Sequence, residues 1–270
     1  MLKPRNLPDI DRLSVLAATI LLAYALARFV IFPAREIELT FLGIYLPIEI
    51  NVHTIVAFLV AVITATGADW LLRDHPSIGS GITIEHWLLP AMTAWVIGFP
   101  LYQLPLSPFW WVGFALGGLL LMLVLVAEYI TVNPEDIRQP VAAVGLIALS
   151  FSLYLMLAIA LRYAGIRLVF LLPALTLAAW LVSLRTLHLR LHGRWTFIQS
   201  GIIAFVCAQI LTGLHYLPLS PVSFGLLLLA PTYCLTSLVA NLAEEEPFRQ
   251  AVVEPILVFL ILLAFALWLR

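Results

Sequence analysis

Apolar runs of roughly 17 to 23 residues, separated by short polar stretches, govern what this chain can become, because a helix needs that length to cross a ~30 Å hydrocarbon layer. Inside lipid every backbone N–H and C=O must be bonded within the protein. That leaves helices and closed barrels, and unbroken apolar runs select helices. The composition agrees: of 270 residues, 63% are hydrophobic and 11% charged, with a mean hydropathy of +1.07, outside the range of water-soluble domains. The chain reads as an all-α polytopic membrane protein of about nine transmembrane helices. Spans are expected at 13–32, 52–72, 86–104, 109–130, 141–163, 167–184, 197–216, 222–242 and 253–269.

The first run follows Lys3, Arg5 and Arg12 and contains small residues, as a cleavable signal peptide does. It is long for a signal and continues through Arg28, so a retained helix is expected, with Arg28 reaching the interface. Between Glu36 and Ile50 the period falls to two. Ile37, Leu39, Phe41, Ile44, Leu46 and Ile48 alternate against Glu36, Glu38, Thr40, Tyr45 and Glu49. With Leu42-Gly43 as the turn, Phe41 pairs with Ile44, Leu39 with Leu46 and Ile37 with Ile48, giving a hairpin with one apolar and one acidic face. The apolar face is expected to cap the outer ends of the helices, since it is too large to leave in water.

A second pattern overlies the first. Leu104-Pro105-Leu106-Ser107-Pro108 returns as Leu217-Pro218-Leu219-Ser220-Pro221, a shift of 113 residues. The same shift relates Thr83 to Thr196, Ala91 to Ala204, Leu125-Val126-Ala127 to Leu238-Val239-Ala240, and Pro134 to Pro247. A duplication is the economical explanation. In this register spans two to five match spans six to nine, a parallel, same-orientation repeat of four helices. The expected divisions are 1–50 for the first helix and hairpin, 51–163 for the first repeat and 164–270 for the second. An even helix number per copy relates the two by an axis along the membrane normal.

With the N-terminus inside, Lys3, Arg5, Arg12, Arg73, Arg138, Arg185, Arg190, Arg194 and Arg249 face the cytoplasm, and Arg28, Arg35, Arg162, Arg167 and Arg270 face out. That excess inside predicts a cell-membrane protein with a cytoplasmic N-terminus and an external C-terminus. Both LPLSP turns and the hairpin then share the outer side.

Chemistry is harder to read. A net charge of -1 and the lack of a basic face argue against nucleic acid. Cys207 and Cys234 sit inside apolar runs and read as small buried side chains. No phosphate-binding glycine loop, nucleophile elbow or zinc-protease helix occurs. Gly118 and Pro231 occupy matching depths under the repeat, and matched interruptions can mark a central site. Tyr233, Ser237 and Asn241 share one helical face, and Gln209 lies near mid-membrane. Together these six are candidate cavity-lining residues, although hydroxyls and amides equally hold helices together. Arg185, Arg190 and Arg194 are candidates for lipid-headgroup contact, and Glu244-Glu245-Glu246 reads as a solvated helix end.

Haem between His53 and His215 is geometrically conceivable, but interface histidines are more often solvated, so no cofactor is expected. His188 and His192 have ligand spacing without a carboxylate nearby in sequence, so no metal is expected. An acid-base site would need Asp69, Glu128, Glu85 or Asp74 to meet His75 or His86, and no catalytic residue is assigned. The leading expectation is a scaffold or subunit of a membrane complex, with membrane lipids and other membrane subunits as partners. A transporter or binder of a lipid or small amphiphile, with its site between the repeats, is the alternative. A membrane-embedded enzyme is the remaining one.

Overall fold

The computed structural model describes residues 8–29, 35–41, 44–50, 52–73, 86–133, 135–191, 193–245 and 247–269, with the side chains of Ala27, of 35–41, of 44–50 and of 52–54 outside that description. The chain forms two compact units, Met1–Gln139 and Pro140–Arg270. The fifth helix therefore groups with the second unit.

The first unit contains α1 (Ile10–Phe29), β1 (Arg35–Phe41), β2 (Ile44–Ile50), α2 (Val52–Leu72), α3 (Leu88–Gln103) and α4 (Pro108–Thr131). Its core gathers around α1, through Leu16, Ile20 and Tyr24 against Ala68, Ile97 and Leu121. Glycines set how closely α1 approaches its neighbours. A methyl group on Gly98 of α3 would lie 2.8 Å from the Tyr24 ring, one on Gly118 of α4 would lie 2.9 Å from Leu21, and one on Gly67 of α2 would collide with Leu16. Small residues admit a neighbouring helix in this way because lipid gives apolar side chains no reason to prefer protein. The Tyr24 hydroxyl also donates to Ala94 O across α1 and α3.

Proline ends α3. Pro105 has no N–H to give to Leu101 O, four residues back, and the Trp110 indole donates to that carbonyl at 3.0 Å. Arg28 at the end of α1 donates to the next carbonyls of the turn, Tyr102 O at 3.3 Å and Leu104 O at 3.1 Å. Pro108 then opens α4, where its fixed φ suits the first helical turn.

β1 and β2 are antiparallel, with Phe41 opposite Ile44, Leu39 opposite Leu46 and Ile37 opposite Ile48. The expected turn Leu42-Gly43 and the packing of the hairpin's apolar face lie outside the described residues.

The second unit contains α5 (Gln139–Tyr163), α6 (Leu168–Arg190), α7 (Phe197–His215), α8 (Pro221–Ala243) and α9 (Phe248–Trp268). Arg162 at the end of α5 donates to His215 O at 3.2 Å and Leu217 O at 3.0 Å. Its guanidinium lies 5.0 Å from the Phe224 ring centroid. Ser220 caps α8, its hydroxyl accepting from Ser223 N at 3.1 Å, as an N-cap serine commonly does.

Among the described residues seven helices, α2 and α4 through α9, are long and apolar enough to cross a membrane. Of the other two expected spans, α1 runs 20 residues from Ile10 to Phe29 with Ala27 outside the described side chains, and α3 has only 16 residues. The chain is a multi-pass, membrane-type helical protein.

Candidate functional site

Polar side chains converge where α6, α8 and α9 meet. The spacing of Tyr233, Ser237 and Asn241 sends all three toward the start of α9. Tyr233 OH donates to Glu254 Oε1 at 2.6 Å, and Ser237 Oγ donates to Glu254 Oε2 at 3.1 Å. Asn241 Nδ2 donates to Ala251 O at 2.9 Å. That last bond has a specific cause: Pro255 stands inside α9, so the carbonyl four residues earlier, Ala251 O, has no helical donor. An amide from the next helix supplies one.

Arg190, the last residue of α6, closes the cluster. Its Nε and Nη2 donate to the two Glu244 oxygens at 3.1 and 2.9 Å, and Nη2 also reaches Asn241 Oδ1 at 2.8 Å. Bidentate pairing of this kind fixes the guanidinium plane. Deeper in the unit, Ser183 Oγ meets Thr236 Oγ1 at 3.0 Å and Cys207 Sγ meets Thr232 Oγ1 at 3.2 Å. Thr232 and Thr236 also return their hydroxyls to the carbonyls four residues back, Leu228 O and Thr232 O, each at 2.7 Å.

The remaining candidates do not join this cluster. Gln209 is exposed on α7. Gly118 forms the close approach to Leu21, and Pro231 is buried inside a continuous α8, so neither opens a helix. Arg185 is 2% exposed and presents no surface to a headgroup. Arg190 is committed to Glu244, leaving Arg194 as the exposed member of that trio. The reason is that α6 continues past the expected end of the span at 184 to Arg190, with 185–188 buried inside it. In the first unit a cavity of about 30 Å³ is lined by Tyr24, Arg28, Gly98, Tyr102 and Trp110, far below the ~300 Å³ that small-molecule sites begin at.

The histidines divide similarly. His215 stacks edge-on against Tyr216 at 5.5 Å, and the His53 side chain lies outside the described residues. His188 is buried, 4.6 Å from the Trp195 ring, and His192 is not described. His86 Nδ1 lies 2.7 Å from Glu128 Oε2, both buried, so one acid-base pair named from sequence does converge. Asp69 instead pairs with Arg73 at 2.8 Å, while Asp74, His75 and Glu85 lie outside the described residues. Among the described residues no group of three or more His, Cys, Asp or Glu side chains is placed to hold a metal ion.

Sequence reasoning missed Glu254. Reading the last span from Val253 put this carboxylate at its edge, whereas α9 begins at Phe248. Arg249, Gln250 and Glu254 disguise the first turns as loop, and the apolar Ala251-Val252-Val253 between them was the available signal.

No curated protein and no solved structure matches the chain. A family model described as "Protein of unknown function (DUF5656)" matches residues 32–269, from just beyond α1 to the end of α9, and the chain belongs to that family.

Proposed function

We propose that this protein is a structural subunit or scaffold of a membrane complex, built by duplication of a helical unit. The observation that supports it is how its polar groups are used. Tyr233, Ser237, Asn241 and Arg190 bond residues of neighbouring helices or of the α8 end, which is helix-to-helix adhesion.

The duplication reading also gains support, in the same register but with changed boundaries. Arg28 bonds the carbonyls of residues 102 and 104, and Arg162 bonds those of 215 and 217; 215 − 102 and 217 − 104 both equal 113, the shift of the repeated turn. α1 therefore plays in the first unit the part that α5 plays in the second. The copies are α1–α4 and α5–α8, with the hairpin stretch inserted after α1 and α9 added at the end.

Extraction in mild detergent followed by native mass spectrometry tests the subunit reading. A second polypeptide at fixed stoichiometry is the expected result. A lone monomer or homo-oligomer carrying a bound amphiphile would overturn it in favour of lipid handling.

A further inference from the structure

Glu254 is exposed, although it lies six residues inside a helix of membrane-spanning length and composition that starts at Phe248, ~9 Å along at 1.5 Å per residue. Both its oxygens accept from neutral hydroxyls, those of Tyr233 and Ser237. Among the described residues the cluster's cation is Arg190, which is paired with Glu244 and also reaches Ser237 Oγ at 3.5 Å, so formal charges of +1, −1 and −1 leave the cluster with one net negative charge. The adjacent outer face of α9 is an apolar surface formed by Val252, Val253, Ile256, Leu257, Leu260 and Ile261. The α9 span is the least buried of the seven, with 17% of it inside the protein. A carboxylate on a lipid-facing surface is costly and calls for a partner at its own depth.

We propose that the outer face of α9 docks a transmembrane helix of a partner subunit carrying a Lys or Arg level with Glu254. This rests on the subunit reading and names where the partner sits. Charge complementarity selects the occupant. A lipid amine lies at the headgroup level and would have to sink below its own phosphate to reach Glu254, whereas a side chain on a neighbouring helix can stand at any depth. A second copy of this chain is a poor fit. Two-fold pairing along α9 sets Glu254 against the same residue of the copy, and Arg249 is five residues away, ~7.5 Å along the helix.

The test uses the full chain in the cells that naturally produce it, with a photo-crosslinking residue at Leu257 or Leu260 and, as a control, at Leu119 on the exposed face of α4. Mass spectrometry of the adducts is expected to find, from Leu257 and Leu260 only, an apolar segment of another protein with Lys or Arg within one helical turn of the crosslink. E254K should cut the yield at least tenfold, and changing the partner's cation to Glu should restore it. E254Q keeps the acceptor for Tyr233 or Ser237 while removing the charge, so a fall of at least threefold in this gentler variant separates docking from misfolding. Adducts to lipid alone, to this chain, or to a segment without a cation overturn the proposal, as does an unchanged yield in E254Q. If a stoichiometric partner crosslinks elsewhere, the docking face is wrong and the subunit reading stands. If no partner is found at all, both fall.

Discussion

At Gly98 the side chain is absent because the Tyr24 ring occupies its space, and that ring is tethered through its hydroxyl to Ala94 O. Gly98→Ala therefore pushes a rigid ring off its acceptor, with an expected loss of about 1 to 3 kcal/mol. Gly201→Ala on α7, where nothing lies within 4 Å, should stay within about 0.5 kcal/mol of the parent. Unfolding in mixed micelles reads both; equal effects would mean that Gly98 is not a packing notch. Asn241 offers a coupled test. Asn241→Ala strands Ala251 O, at a cost of about 1 to 3 kcal/mol. In a Pro255→Ala background the restored N–H can take that carbonyl, and the same substitution should cost less. Additive effects in this double-mutant cycle would show that the proline and the amide are unconnected.

The helical elements were legible where hydrophobicity is continuous and less so where charge interrupts it. Val52–Leu72 has the expected limits, because an apolar run and its polar flanks fix both ends. The start of α9 was not legible, since Arg249 and Glu254 interrupt the apolar run there and the hydroxyls that Glu254 accepts from, Tyr233 and Ser237, stand on another helix. Helix-face spacing brought Tyr233, Ser237 and Asn241 to one side, but periodicity along α8 carries no information about Glu254 on α9 or Arg190 on α6. The strands at 35–41 and 44–50 coincide with the stretch of period two. The arginine clamps, invisible to hydropathy, bear on how the helices are held. Arg28→Ala should raise amide exchange around residues 102–106, and Arg162→Ala around 215–219, each leaving the other turn unchanged. Exchange that spreads through the whole unit would make the arginines general packing residues instead of local clamps.

At the scale of the whole molecule, the placement of the two LPLSP turns separates a parallel from an inverted duplication. An even number of crossings separates Leu106 from Leu219 if every helix from α4 to α7 crosses once, and all four meet the length and hydropathy that a crossing needs. The two turns should then face the same side, which is expected to be the outer one from the distribution of Lys and Arg. In a Cys207→Ala, Cys234→Ala background, single cysteines at Leu106 and Leu219 should react with a membrane-impermeant maleimide from outside intact cells, while cysteines at Glu135 and Glu245 should react only after permeabilisation. Native Cys207 and Cys234 both lie within helices and are free, so their replacement removes background without breaking a disulfide. Labelling of Leu106 and Leu219 from opposite sides would mean that one helix between them lies in the interface, and would replace the parallel repeat with an inverted one. Labelling of both from the cytoplasmic side would keep the parallel repeat and reverse the orientation.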